Sequence, residues 1–142
     1  MKMESVLAVK GPNVVTMEHG ATLSDAVSLL VKHGIGAIVV MDGSHTPVGI
    51  ISERDIIREA SRNSGFLTAS VADVMTKDVI SGSCDDDVEA VLQTMTSHHF
   101  RHVPIVDDGE LVGIVSIGDL VKAQLDSYRG NIETLETQLM NS

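Results

Sequence analysis

The stretches Val48-Gly-Ile-Ile-Ser-Glu-Arg-Asp55 and Val112-Gly-Ile-Val-Ser-Ile-Gly-Asp119 share one design, an apolar run closed by Ser-x-x-Asp, and lie 64 positions apart. The likeness extends well beyond them. Leu30 matches Met95 and Asp42 matches Asp107 at an offset of 65, which falls to 64 at Gly49/Gly113 because the first hairpin turn is one residue longer. A repeat that keeps its element order and confines a length change to a turn marks one unit built twice. A unit of about 65 residues is marginal alone but can bury its apolar face against its twin. A cleft between the copies is the expected place for a function.

Each copy reads as β-α-β-β-α. In the first, Val14-Val15 is a strand, Thr22-Leu-Ser-Asp25 is a capping-box helix start, and Gly34 is the helix stop. Gly36 to Met41 and Val48 to Ile51 are too short and β-branched for helices and read as strands, before a helix from about Glu53 to Arg62. In the second, Ser70-Val-Ala-Asp73 caps a short turn, Val79-Ile80 is the first strand, and a helix covers Asp87 to Thr96. Val103 to Val106 and Leu111 to Val115 pair across Asp107-Asp-Gly-Glu110, and another helix starts near Gly118. A helical crossover makes the first two strands parallel; a tight turn makes the last two antiparallel. Pro104 stands where Val39 stands in the first copy; it cannot donate to a ladder, so the backbone there should be an edge or strand entrance open to a cleft. The predicted units are residues 1–64, 65–126 and a tail, 127–142. In the tail, Ile132, Leu135 and Leu139 mark an amphipathic helix after Gly130 that covers the module or a partner subunit.

The core of such a chain must be aliphatic, because Phe66, Phe100 and Tyr128 are its only aromatic residues. A net charge of −10 argues against general binding to nucleic acid or anionic membrane, while leaving room for a small anion held by local donors. The single Cys84 cannot form an internal disulfide, no apolar run has bilayer-spanning length, and the start lacks the apolar segment of an export signal. A cytoplasmic, reducing setting is the expectation.

The motifs together resemble a tandem pair of cystathionine-β-synthase (CBS) domains of the short, stand-alone kind. The resemblance rests on Gly49-Ile-Ile-Ser-Glu-Arg-Asp55, Arg101-His-Val-Pro-Ile-Val-Asp107, Gly113-Ile-Val-Ser-Ile-Gly-Asp119 and the opening Val74-Met-Thr76, and covers nearly everything from residue 10 to 125. It implies an α/β fold of two repeats packed through their sheets with pseudo-twofold symmetry. It also implies two clefts for an adenosine compound (AMP, ADP, ATP or NAD) that is sensed rather than turned over, a homodimer, and an unidentified target protein.

By the same resemblance, Asp55 and Asp119 bind ribose hydroxyls, and Ser52 and Ser116 contact phosphate. For the Asp119 site, adenine contacts map to Thr76 through Ile80, including Asp78 and Val79, and to His102 through Pro104, including Val103. For the Asp55 site they map to Asn13, Val14 and Val15 and to Ala37, Ile38 and Val39. The first copy has Gly36-Ala37 in place of Arg101-His102, so the Asp119 site is expected to be the stronger. Arg54 and Arg101 are candidates to neutralise phosphate.

The chemistry is sound: a carboxylate accepts both hydrogen bonds of a vicinal diol, and helix-start hydroxyls and N–H groups donate to phosphate. Ser-x-x-Asp is equally a helix cap, so a ligand-independent scaffold is the alternative reading. His98, His99 and His102 share no dependable face for a metal; His102 reads better as a cleft-lining donor. Asp85, Asp86 and Asp87 suit the N-terminal end of the helix that follows them. No nucleophile–base pair, Walker lysine or dinucleotide fingerprint occurs, so no catalysis is expected.

Overall fold

The computed structural model describes residues 1–11 and 13–141. Pro12, in the lead-in to the first predicted strand, and Ser142, at the end of the predicted tail, lie outside them. The chain is mixed α/β, with two repeats, each a small sheet plus helices, and a C-terminal helix, as expected, although the second repeat forms only two of its three predicted strands. Helix α1 (Met3–Lys10) precedes the first repeat, which contains β1 (Thr16–Glu18), α2 (Leu23–His33), β2 (Ala37–Met41), β3 (Pro47–Ser52) and α3 (Glu53–Arg62). A 3₁₀ turn (Phe66–Thr68) and short α4 (Val71–Val74) lead to α5 (Val88–His98), β4 (His102–Asp107), β5 (Glu110–Ser116) and α6 (Ile117–Met140).

Local sequence accounts for most boundaries. Thr22 and Asp25 close a reciprocal capping box at the start of α2, and Gly34 ends that helix in the left-handed region at φ 61°. The equivalent stop on α5 is His99 at φ 60°, a conformation that strains a residue bearing a Cβ. Asp108 and Gly109, both at positive φ, form the two-residue turn between β4 and β5, as a twisted hairpin prefers. Both hairpins carry a register shift at equivalent points, Val40/Met41 and Ile105/Val106.

The first sheet has the order β1-β2-β3, with β1 parallel to β2 and β3 antiparallel. Its first strand begins at Thr16, beyond the predicted Val14-Val15, where pairing with Val39 starts. In the second repeat the predicted Val79-Ile80 strand is not formed, and only a parallel bridge between Gly82 and Ile105 remains. Gly82 N–H donates to Pro104 O, and Val106 N–H donates to Gly82 O. One step back along this ladder, the donor to Ile80 O would be the backbone nitrogen of Pro104, which has no hydrogen. Proline thus shortens the strand, and the chain at 79–80 stays open, as its position suggested.

Two aliphatic cores result, and each is completed by the other repeat. Met3 and Val6 of α1 pack with Val88, Met95, Val103 and Ile105 of the second repeat. Val71 of α4, which leads into the second repeat, packs with Leu23, Leu30, Ile38 and Ile51 of the first. Matching bridges join Lys2 to Asp87 and Ser70 to Thr22. The leading helices are exchanged.

Three further expectations are corrected. Ser70 makes no side-chain cap on α4, because its hydroxyl donates to His19 O instead. Asp87 likewise makes no side-chain cap on α5; it faces the N-terminal amine at 3.5 Å, while Asp86 accepts from Ser83 N. The tail is not a separate helix after Gly130. Helix α6 runs unbroken through that residue, and Ile132 and Leu135 are more than half exposed rather than covering the module.

Candidate functional site

Strands β2 and β3 show one face to the first core through Ile38, Val40 and Ile51. Strand alternation puts Ala37, Val39 and Ile50 on the other face, where they are buried but belong to neither core. At the end of β3, Ser52 and Asp55 form a capping box that starts α3. Asp55 N donates to Ser52 Oγ at 3.2 Å, and Asp55 Oδ2 accepts from Ser52 N and Ser52 Oγ, each at 3.0 Å. The carboxylate is only 8% exposed, and its Oδ1 takes a 3.3 Å hydrogen bond from Thr76 Oγ1, with Arg58 Nη1 at 3.9 Å. Thr76 is held by paired backbone hydrogen bonds with Ile50.

This carboxylate opens onto a cleft of about 520 Å³, within the size range of small-molecule sites. Ser52, Arg54 and Asp55 form one wall, and Thr76, Asp78, Val79 and Ile80 form another. Arg101 and His102 complete it from the second repeat. Sequence reasoning missed Gly36, Glu53, Ile57 and Arg58, which also line it, together with His98, His99 and Phe100. The signal for Ile57 and Arg58 was present, since they lie within one turn of Asp55 on the same helix. His98 stacks on Phe100 at 5.9 Å between centroids, and its Nδ1 lies 3.0 Å from Thr94 O. Among the described residues no group of three or more His, Cys, Asp or Glu is arranged to hold a metal.

The expected grouping of segments holds only in part. Thr76 to Ile80, expected at Asp119, lie beside Asp55 instead, because the segment leading into the second repeat packs on the first. Arg101 and His102 line the same cleft while staying paired with Ile117 and Ser116 at the start of the Asp119 helix. Ile38 and Val103 face the cores and cannot line a cleft, since each sits one residue out of phase with its cleft-side neighbours. Ala37, Val39 and Pro104 are buried in the sheets. Asn13 is exposed, Val15 packs on the first core, and Val14 borders a separate shallow hollow with Thr16, His45 and Leu111.

Ser116 and Asp119 repeat the capping box, with Asp119 N to Ser116 Oγ at 3.1 Å and Ser116 N to Asp119 Oδ2 at 2.8 Å. Here the partner from the leading segment is Lys10, whose Nζ lies 2.6 Å from both Asp119 Oδ2 and Ile114 O. Leu7 lies against Gly113, where a Cβ would come within 2.5 Å of its Cδ2. The equivalent Gly49 would meet Met75 Sδ and, at 3.0 Å, Thr76 O. Asp119 is expected to be the stronger site, yet its carboxylate, although 31% exposed against 8% for Asp55, is engaged by the Lys10 ammonium group. Burial raises the Asp119 carboxyl, but the Lys10 hydrogen bond, the Ser116 N–H and the Lys10 charge outweigh it and hold the group below its ordinary range. His102 is displaced downward, first by burial and then by the Lys10 charge, against the pull of Asp119 and Glu53.

Comparison with known proteins decides the family. The CBS domain sequence profile matches residues 8–62 and 71–126. The chain belongs to the CBS-domain family. It is 33% identical to the CBS domain-containing protein YhcV of Bacillus subtilis over 125 residues, 88% of this chain and 89% of that one. Its fold matches the crystal structure of the CBS-domain containing protein ATU1752 from Agrobacterium tumefaciens with a TM-score of 0.83 and 37% identity, over 87% and 99% of the two chains. The CBS domain protein PAE2072 from Pyrobaculum aerophilum, complexed with AMP, matches at TM-score 0.75 and 30% identity over 84% and 89%. The CBS domain pair of protein MJ0100, in complex with 5′-methylthioadenosine and S-adenosyl-L-methionine, matches at 0.80 and 26% over 89% and 98%. Among the described residues no helix is long and apolar enough to cross a membrane.

Proposed function

We propose that this CBS pair is a non-catalytic regulatory module that binds an adenosine compound in the Asp55 cleft. The observation that carries the reading is the buried Asp55 carboxylate, held by Ser52 and Thr76 on the wall of a 520 Å³ cleft between the repeats. A carboxylate fixed in this way suits a vicinal diol, and Ile50, Val79 and Ile80 supply apolar surface for a base. Arg54, Arg58 and Arg101 supply cationic groups for phosphate. The AMP and methylthioadenosine complexes of related pairs support the adenosine class, within which AMP, ADP, ATP and NAD all remain members of this proposal. A homodimer, a cytoplasmic setting and a target protein whose affinity follows cleft occupancy complete it.

Calorimetric titration with AMP, ADP, ATP, NAD and S-adenosylmethionine tests the reading. Binding of at least one, weakened tenfold or more by Asp55→Asn, is expected, since one diol hydrogen bond to a charged group contributes about 1.5–3 kcal/mol. The rival reading, a scaffold in which Ser52/Asp55 is only a cap, predicts that Asp55→Asn changes the melting temperature and no titration.

A further inference from the structure

Helix α6 has two apolar faces. Leu120 is fully buried, and Ala123 packs beside it on the second core. Val121, Leu125, Tyr128, Ile132 and Leu135 are 43, 48, 52, 53 and 59% exposed, and their spacing alternates between four residues and three. That is the repeat of a coiled-coil seam, and Leu139 continues it. With Leu125 and Ile132 at the a positions, Val121, Tyr128 and Leu135 take d. Leu120 and Ala123 then fall at c and f, on the side of the helix away from the seam. The helix can therefore lie on its own module and present the seam at the same time. Every residue from 128 to 140 is exposed. A stretch of 13 residues with Gly130 in its first turn is a poor helix in water without packing.

We propose that this seam binds the same seam of a second copy, the two helices running antiparallel. The proposal assigns a surface to the homodimer named above and stands apart from the identity of any ligand. Charge selects the occupant. The chain carries 20 acidic and 10 basic residues, so two copies repel over most of their surface. The flanks of the seam are different: Lys122, Arg129 and Glu136 lie at e, and Gln124, Asn131 and Gln138 at g. Antiparallel helices set e against e. Lys122 of each copy then faces Glu136 of the other, neutral g side chains meet each other, and the central Arg129 pair has Glu133 one turn along on the same side. A parallel pair sets e against g and makes no ion pair.

Sedimentation of the full chain, with titration of the same samples by AMP as a separate readout, tests the proposal. The expected result is a concentration-dependent assembly whose mass halves in Leu125→Glu/Ile132→Glu, while the module's thermal transition is kept because both side chains face solvent within one copy. Glu136→Lys should weaken assembly several-fold, and Lys122→Glu/Glu136→Lys should restore it. These charged surface variants keep the test decisive if the glutamate variant loses its fold. A parent that stays at the 15.1 kDa of one chain, or a glutamate variant that keeps the parent's mass, overturns the proposal. A charge exchange that restores nothing overturns the antiparallel pairing. Failure to bind AMP bears only on the ligand reading.

Discussion

Lys10 Nζ sits 2.6 Å from Asp119 Oδ2, in the role that Thr76 Oγ1 plays toward Asp55 at 3.3 Å. The two repeats thus answer one question differently. Where the leading segment offers a hydroxyl, the carboxylate faces a cleft; where it offers an ammonium group, the carboxylate is neutralised from within the chain.

Lys10→Ala should therefore have two effects. The pair is about one-third exposed on each side, so stability should fall by only about 0.2–1 kcal/mol, as for solvent-screened ion pairs. Adenosine-ligand stoichiometry should rise from one site toward two per chain. Calorimetry reads both, and an unchanged stoichiometry would show that Lys10 does not occupy a ligand position.

His99 holds a backbone conformation that its counterpart Gly34 adopts without strain. His99→Gly should stabilise the chain by about 1 kcal/mol in urea unfolding, since the left-handed region costs an L-residue roughly 1–2 kcal/mol. Because the imidazole lines the cleft, the same substitution should weaken ligand binding. A gain in stability with unaltered affinity would remove His99 from the site.

The pH dependence has a definite sign at two positions. His102 lies below its ordinary 6.5 when folded, so the unfolded chain takes up the proton first and stability falls as pH drops below 6.5. Urea midpoints measured in steps should show this slope, and His102→Gln should flatten it. Asp119 is depressed from 3.8, so its contribution is present above 3.8 and is lost as pH falls through the lower folded value. Asp119→Asn should remove that second, more acidic loss.

Gly49→Ala should destabilise by about 1–3 kcal/mol, the usual cost of overpacking. The new methyl meets Met75 Sδ and, at 3.0 Å, the carbonyl of Thr76, which is tied to Ile50 and cannot move aside. Gly113→Ala meets only the flexible end of Leu7 and should cost less. Equal losses in thermal melts would contradict this difference.

Much of this architecture was legible in the sequence because it is local. Thr22/Asp25, Ser52/Asp55 and Ser116/Asp119 spell reciprocal caps, Asp108-Gly109 spells a hairpin, and Pro104 spells an edge open to a cleft, although not the loss of the Val79-Ile80 strand beside it. The grouping of the cleft was not legible. Val71-Ala-Asp-Val74 and the Met3 helix are apolar enough to cover a core, but nothing in their spacing says which of two similar cores they cover. The same limit hid Lys10, which read alone is a basic residue suited to the end of its own helix.

The exchange of leading helices makes the chain behave as an interlocked pair rather than as beads on a string. A cut near residue 65 separates each core from a wall that it needs, Met3 and Val6 on one side and Val71 on the other. Neither fragment should fold well by itself, yet a mixture should reassemble, each supplying what the other lacks. Calorimetric melting of the fragments, apart and mixed, would display that mutual dependence. It also means that a substitution in the first ten residues of the chain is felt in its second half.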